Sequence, residues 1–107
     1  MGLNVTLSAI RVTDVYSSGI THNLNQMAEA AKIYEALWRP EEIGITTADQ
    51  LIPILTEGLR LLESDPGYYR TFAPSNGWGT YDGLVRFVKG YLAACIESPD
   101  ATVTACR

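Results

Sequence analysis

Between Leu3 and Tyr16 apolar and polar residues alternate, with Val5 and Leu7 on one side of the chain and Thr6 and Ser8 on the other. A period of two, with many Val, Ile and Thr, predicts a β-strand buried on one face. The alternation slips at Ala9–Ile10 and resumes at Ile10 and Val12, as a β-bulge or a pair of short strands would produce. Ser17-Ser18-Gly19 reads as the break that ends this extended segment.

The period then changes to that of a helix. Leu24, Met27, Ala28, Ala31, Tyr34 or Glu35, and Trp38 follow helical spacing, with Ala30 and Leu37 widening the stripe. Thr21 or Asn23 can cap this helix, Asn23 and Gln26 resemble a capping box, and Pro40 ends it. A second helix starts at the capping box Thr47-Ala48-Asp49-Gln50 and carries Leu51, Leu55, Leu59 and Leu62, with a bend or irregular start expected at Pro53. Turn chemistry at Ser64–Gly67 closes it. Residues 67–80 show no period, which predicts a long loop, functional or packed down by its own aromatics. From Tyr81 to Glu97 a third helix follows, capped by Thr80 or Ser75, with Leu84, Val88, Tyr91, Leu92, Cys95 and Ile96 on its apolar side. The tail Ala101–Cys106 alternates again and reads as a strand.

The order is β-α-α-α-β, an α+β fold with three amphipathic helices packed on a small sheet of N- and C-terminal strands. Residues 1–107 are expected to form a single domain. Two strands alone are marginal, so the sheet is expected to be extended or covered in a homo-oligomer.

Composition narrows the function classes. A net charge of −4 gives no basic face for a general nucleic-acid binder, although local groups can still hold a small anion. The start Met1-Gly2-Leu3 has no basic leader and no apolar run reaches membrane length, which predicts a cytoplasmic protein without membrane partners. In that compartment Cys95 and Cys106 are expected to be reduced, and one His with two widely spaced Cys gives no metal pattern; no cofactor is expected.

Two segments can carry recognition chemistry. Thr21, His22, Asn23 and Asn25 crowd polar side chains at a predicted helix start, where free N–H groups and the dipole favour an anion; the same residues also serve as caps. Asn76-Gly77-Trp78-Gly79 with Tyr81 offers an amide, two permissive glycines and rings for stacking a flat ligand, unless Trp78 folds back as a plug over the helices. Arg39, Arg70 and Arg86 can each pair with a phosphate or carboxylate, with nothing in the spacing to favour one, while Trp38 beside Arg39 reads as core. The catalytic inventory is thin. His22 is the one imidazole, Cys95 lies on an apolar helix face, Ser17, Ser18 and Ser75 have no nucleophile context, and Asp82 is a helix-start charge.

Tyr16, Thr21-His22-Asn23-Leu24, Met27-Ala28, Trp38-Arg39-Pro40 and Asn76-Gly77-Trp78-Gly79 with Tyr81 resemble the pattern of a family of small proteins encoded in bacteriophage and bacterial genomes. The resemblance runs from Val15 to about Arg107 and carries over no catalytic residues. It implies an accessory or counter-defence role in a host cytoplasm. The leading expectation is therefore a protein that sequesters a small anionic, nucleotide-derived ligand such as a host immune signal. Its site would comprise Thr21, His22, Asn23, Arg39, Asn76, Gly77, Trp78 and Tyr81. One alternative is an inhibitor of a host defence enzyme or nuclease, with Trp78 as the anchor. Another is a small hydrolase using His22.

Overall fold

The computed structural model describes residues 2–8 and 14–107. Strand β1 (Gly2–Ser8) runs antiparallel to β2 (Asp14–Thr21), from the pair Gly2–Thr21 to Leu7–Tyr16, with a register shift between Leu7 and Ser8. The first extended segment is thus two strands; the slip at Ala9, Ile10 and Val12 lies outside the described residues. Ser17-Ser18-Gly19 is not a break. These residues sit in the middle of β2, opposite Thr6, Val5 and Asn4, where the hydrogen-bonded ladder overrides their local turn preference.

Strand β3 (Thr102–Cys106) pairs antiparallel with the other side of β1, giving the order β2-β1-β3. The expected pairing of the N- and C-terminal strands is present, and β2 adds a third strand. Leu3, Val5 and Leu7 of the central strand are fully buried, while Asn4, Thr6 and Ser8 share the opposite face with Cys106, Thr104 and Thr102. The helices cover the apolar face, so the fold is α+β.

The first helix of the sequence reading is broken. A 3-10 turn (His22–Leu24) leads into α1 (Asn25–Ala30); α2 (Tyr34–Trp38) follows after an interruption, and a second 3-10 turn (Pro40–Ile43) comes next. Lys32 at the interruption has φ 64°, in the left-handed region. The cause is Ile33. In an unbroken helix it would point about 200° away from Ala31, off the stripe of Leu24, Met27 and Ala28. The break turns Ile33 inward to full burial against Gly58. Burying an Ile side chain contributes about 1.5–3 kcal/mol, which offsets the roughly 1–2 kcal/mol of a left-handed non-glycine residue.

Helix α3 (Ala48–Ser64) begins at the expected capping box. The Gln50 Oε1 accepts from the backbone N–H of Thr46 (2.7 Å) and Thr47 (3.2 Å). It continues through Pro53 as one helix, burying Leu51, Leu55 and Leu62. The loop expected over 67–80 begins instead as a short helix, α4 (Pro66–Arg70), because the Asp65 carboxylate caps it by accepting from the N–H of Tyr68. Helix α5 (Tyr81–Glu97) is capped by Thr80, whose hydroxyl accepts from the N–H of Gly83 at 3.0 Å. Leu84, Val88, Tyr91 and Cys95 are buried as expected, together with Phe87, whereas Ile96 is exposed.

Tyr91 is a weak point in this core. Its ring is fully buried and stacks on Tyr16 at 5.9 Å between centroids, yet its hydroxyl has no hydrogen-bond partner among the described residues. An unpartnered buried hydroxyl costs about 1–3 kcal/mol. Tyr91→Phe keeps the ring and removes that cost, so thermal or urea unfolding should show a gain of about 1 kcal/mol or more. A loss of stability would mean that the hydroxyl is satisfied.

Candidate functional site

The start of α1 and the segment after α4 face each other. His22, Asn23, Asn25 and Gln26 form one wall of a groove of about 550 Å³, and residues 71–75 form the other. Thr21 shapes the first wall. Its hydroxyl accepts from the backbone N–H of Asn23 at 3.3 Å and from the Asn23 amide at 3.2 Å, so Thr21 is the cap and Asn23 lies inside the 3-10 turn. His22 is backed by the buried Trp38 ring at 6.2 Å between centroids. Its Nε2 is shielded from solvent and has no partner among the described residues.

The second wall is a chain of local turns. The Thr71 hydroxyl donates to the Tyr68 carbonyl (2.6 Å), and the N–H of Gly77 donates to the Pro74 carbonyl (3.3 Å). Asn76 Oδ1 then accepts from the N–H of Trp78 at 2.9 Å, which fixes the backbone at the tryptophan. Gly77 and Gly79 have φ 79° and 110°, values that glycine adopts without the strain of a side chain. At Gly79 close approach matters as well: a Cβ there would stand 2.9 Å from Leu24 Cγ and Thr21 Cγ2. The 75–79 loop is therefore docked directly on the start of the 22–24 turn.

The two segments singled out in the sequence thus meet. They do so through His22, Asn23, Ser75 and the Gly79 contact. Trp78 is not a plug, since it is 69% exposed. Tyr81 faces the other way. It is buried, its hydroxyl donates to the Leu62 carbonyl at 2.6 Å, and the Arg70 guanidinium covers its ring at 4.7 Å from the centroid. Burial pushes the Tyr81 phenol above its usual pKa. Arg39 lies outside the groove walls. It donates to the Tyr34 hydroxyl (3.2 Å) and pairs with Glu42 (2.8 Å), and these bonds hold its guanidinium above the usual arginine pKa. Trp38 is core, 3% exposed, as expected.

Seven lining residues were not among the expected site residues: Asn25, Gln26 and residues 71–75. Gln26, read as a cap, lines the groove; Phe72 puts a ring on the facing wall; and Thr71 lies beside it. For residues 71–75 the one signal in the sequence was the missing period over 67–80. Past Gln26 and Phe72 the groove continues into a depression lined by Glu29 and Ala30, so its far end is acidic. Among the described residues its walls carry no Lys or Arg. Helix α1 has six residues, which leaves a smaller dipole at its start than the long helix of the sequence reading would have supplied.

The thiols differ sharply. Cys95 is buried, and burial pushes its thiol up to about 11, whereas Cys106 is exposed on β3. No described helix is long and apolar enough to cross a membrane. Comparisons with protein-family models, curated proteins and solved structures gave no match.

Proposed function

We propose that the protein is a non-catalytic binder of a small, planar, polar molecule of the nucleotide-derived class, held in the groove between His22 and Ser75. The observation that carries this reading is the groove itself, in which His22, Asn23, Asn25 and Gln26 face residues 71–75. Asn23, Asn25 and Gln26 add amides able to read the edge of a base, and Phe72 adds a face for stacking. Trp78, exposed on a loop whose backbone is fixed by Asn76, is a further ring available for stacking. The absence of Lys and Arg from the described walls, with Glu29 at the far end, favours the base and sugar over a phosphate chain as the recognised part. With the resemblance to small phage-encoded proteins, the biological reading is sequestration of a nucleotide-derived host signal.

The test is a panel of nucleosides, mononucleotides, cyclic dinucleotides and ADP-ribose, followed by tryptophan fluorescence and thermal shift. A ligand present at 100 times its Kd should add about 2.7 kcal/mol of apparent stability. His22→Ala and Asn23→Ala should abolish that gain. No shift with any member of the panel overturns the reading.

The exposure of Trp78 also favours a second reading, a protein partner anchored by that ring. The variants separate the two. A protein partner is lost with Trp78→Ala and kept with His22→Ala, whereas the ligand is lost with His22→Ala.

A further inference from the structure

The two edges of the sheet are treated differently. The β3 edge is covered: the N–H of Val103 donates to the Thr46 carbonyl at 2.9 Å, and Thr47 bridges to Thr102. Arg107 beyond it is tied to Glu41 at 2.6 Å and to the Trp38 carbonyl at 2.9 Å. The β2 edge has nothing comparable. Among the described residues, no backbone hydrogen bond outside the β1 ladder involves residues 15–20. Asp14, the first residue of β2, carries the one charge of the strand; Val15-Tyr16-Ser17-Ser18-Gly19-Ile20-Thr21 contain neither a charge nor a proline, the usual devices that keep an edge strand from pairing.

We infer that β2 pairs antiparallel with β2 of a second copy, about a two-fold axis at Ser18, making one six-stranded sheet. The pattern of the strand selects this partner and this register. Side chains alternate, so opposed residues must lie on the same face, which requires an even sum of their numbers. Tyr16 and Ile20, half-buried on the helix-covered face, are symmetric about Ser18. Pairing there sets each Tyr16 against the second copy's Ile20 and closes the apolar layer across the seam. On the outer face Val15, 47% exposed, comes opposite the second copy's Thr21. Thr21 carries the Gly79 contact, so the exposed Trp78 lies at the end of the edge that meets the second copy's Val15. A self-complementary strand without a charge from Val15 to Thr21 suits a copy of itself better than a charged partner. Isologous pairing also leaves no edge strand of this kind open.

The experiment is sedimentation of the full chain over a concentration series, with three variants. The unmodified protein should sediment as a dimer. Ser17→Lys places like charges near one another across the seam and should yield monomers. Thr104→Lys, on the same sheet face but on the covered strand, should remain dimeric. In a Cys106→Ser background, Ser18→Cys should form an intermolecular disulfide on mild oxidation, because residues opposed across such a seam have Cβ atoms about 4.5–5.5 Å apart. A monomer at all concentrations overturns the inference. So does a dimer that tolerates Ser17→Lys and fails to cross-link at position 18. Ligand binding by a monomer would leave the proposed groove standing while removing this interface.

Discussion

Gly79→Ala is expected to destabilise the protein by about 2–6 kcal/mol and to abolish binding in the groove. Two costs combine. A φ of 110° strains any L-residue by about 1–3 kcal/mol, and the new Cβ falls 2.9 Å from Leu24 Cγ and Thr21 Cγ2, an overpacking worth about 1–3 kcal/mol. Leu24 is buried, so neither neighbour yields cheaply. The least costly response is for the 75–79 loop to lift off the 22–24 turn, which separates the groove walls. Amide exchange should therefore accelerate over residues 74–80 more than over α3. Gly77→Ala is the control. Gly77 also has positive φ, but nothing lies within 4 Å of its Cβ position, so about 1–2 kcal/mol of strain is its whole cost. Equal effects of the two alanines on stability and binding would show that the docking contact does not organise the site.

The second large effect lies where α3 meets the interruption between α1 and α2. A Cβ at Gly58 would stand 2.1 Å from Ile33 Cγ2, so Gly58→Ala should cost about 1–3 kcal/mol even though alanine favours the helix by about 1 kcal/mol. Ile33→Ala alone should cost about 2–5 kcal/mol through the cavity it leaves. Together the two changes should cost less than their sum, with a coupling of about 1–2 kcal/mol, because the new methyl at position 58 enters the space vacated by Ile33. Urea unfolding of the four proteins measures this directly. Strict additivity would mean that Ile33 and Gly58 are not packed against one another.

Some features were legible in the residues alone. The periods of α3 and α5, and the pairing of the first and last strands, followed from local patterns that tertiary packing reinforces. The break at Lys32 was not legible, because the pull on Ile33 comes from Gly58, a residue of another helix. The strand role of Ser17-Ser18-Gly19 was hidden for a similar reason: those residues prefer turns until β1 supplies hydrogen-bond partners. At the groove, His22 and Asn23 could be found as polar residues at a helix start. Phe72 and Gln26 could not, since their role depends on α4 bringing residues 71–75 back across α1. Tyr81 and Arg39 have recognition chemistry in isolation, but the hydroxyl is taken by Leu62 and the guanidinium by Tyr34 and Glu42.

The central position of β1 has a consequence for biosynthesis. Its Asn4 pairs with Cys106, so the ladder on that side closes a loop of about a hundred residues. Such a closure carries a large entropic cost and comes slowly. On the ribosome β1 and β2 can zip together early, but the other flank of β1 waits until β3 has emerged. While residues 22–101 are being made, the nascent chain holds a two-stranded ribbon with one flank of β1 unpaired. Codon-level pauses or chaperone contact between β2 and β3 should therefore affect yield more than those before β2 is complete.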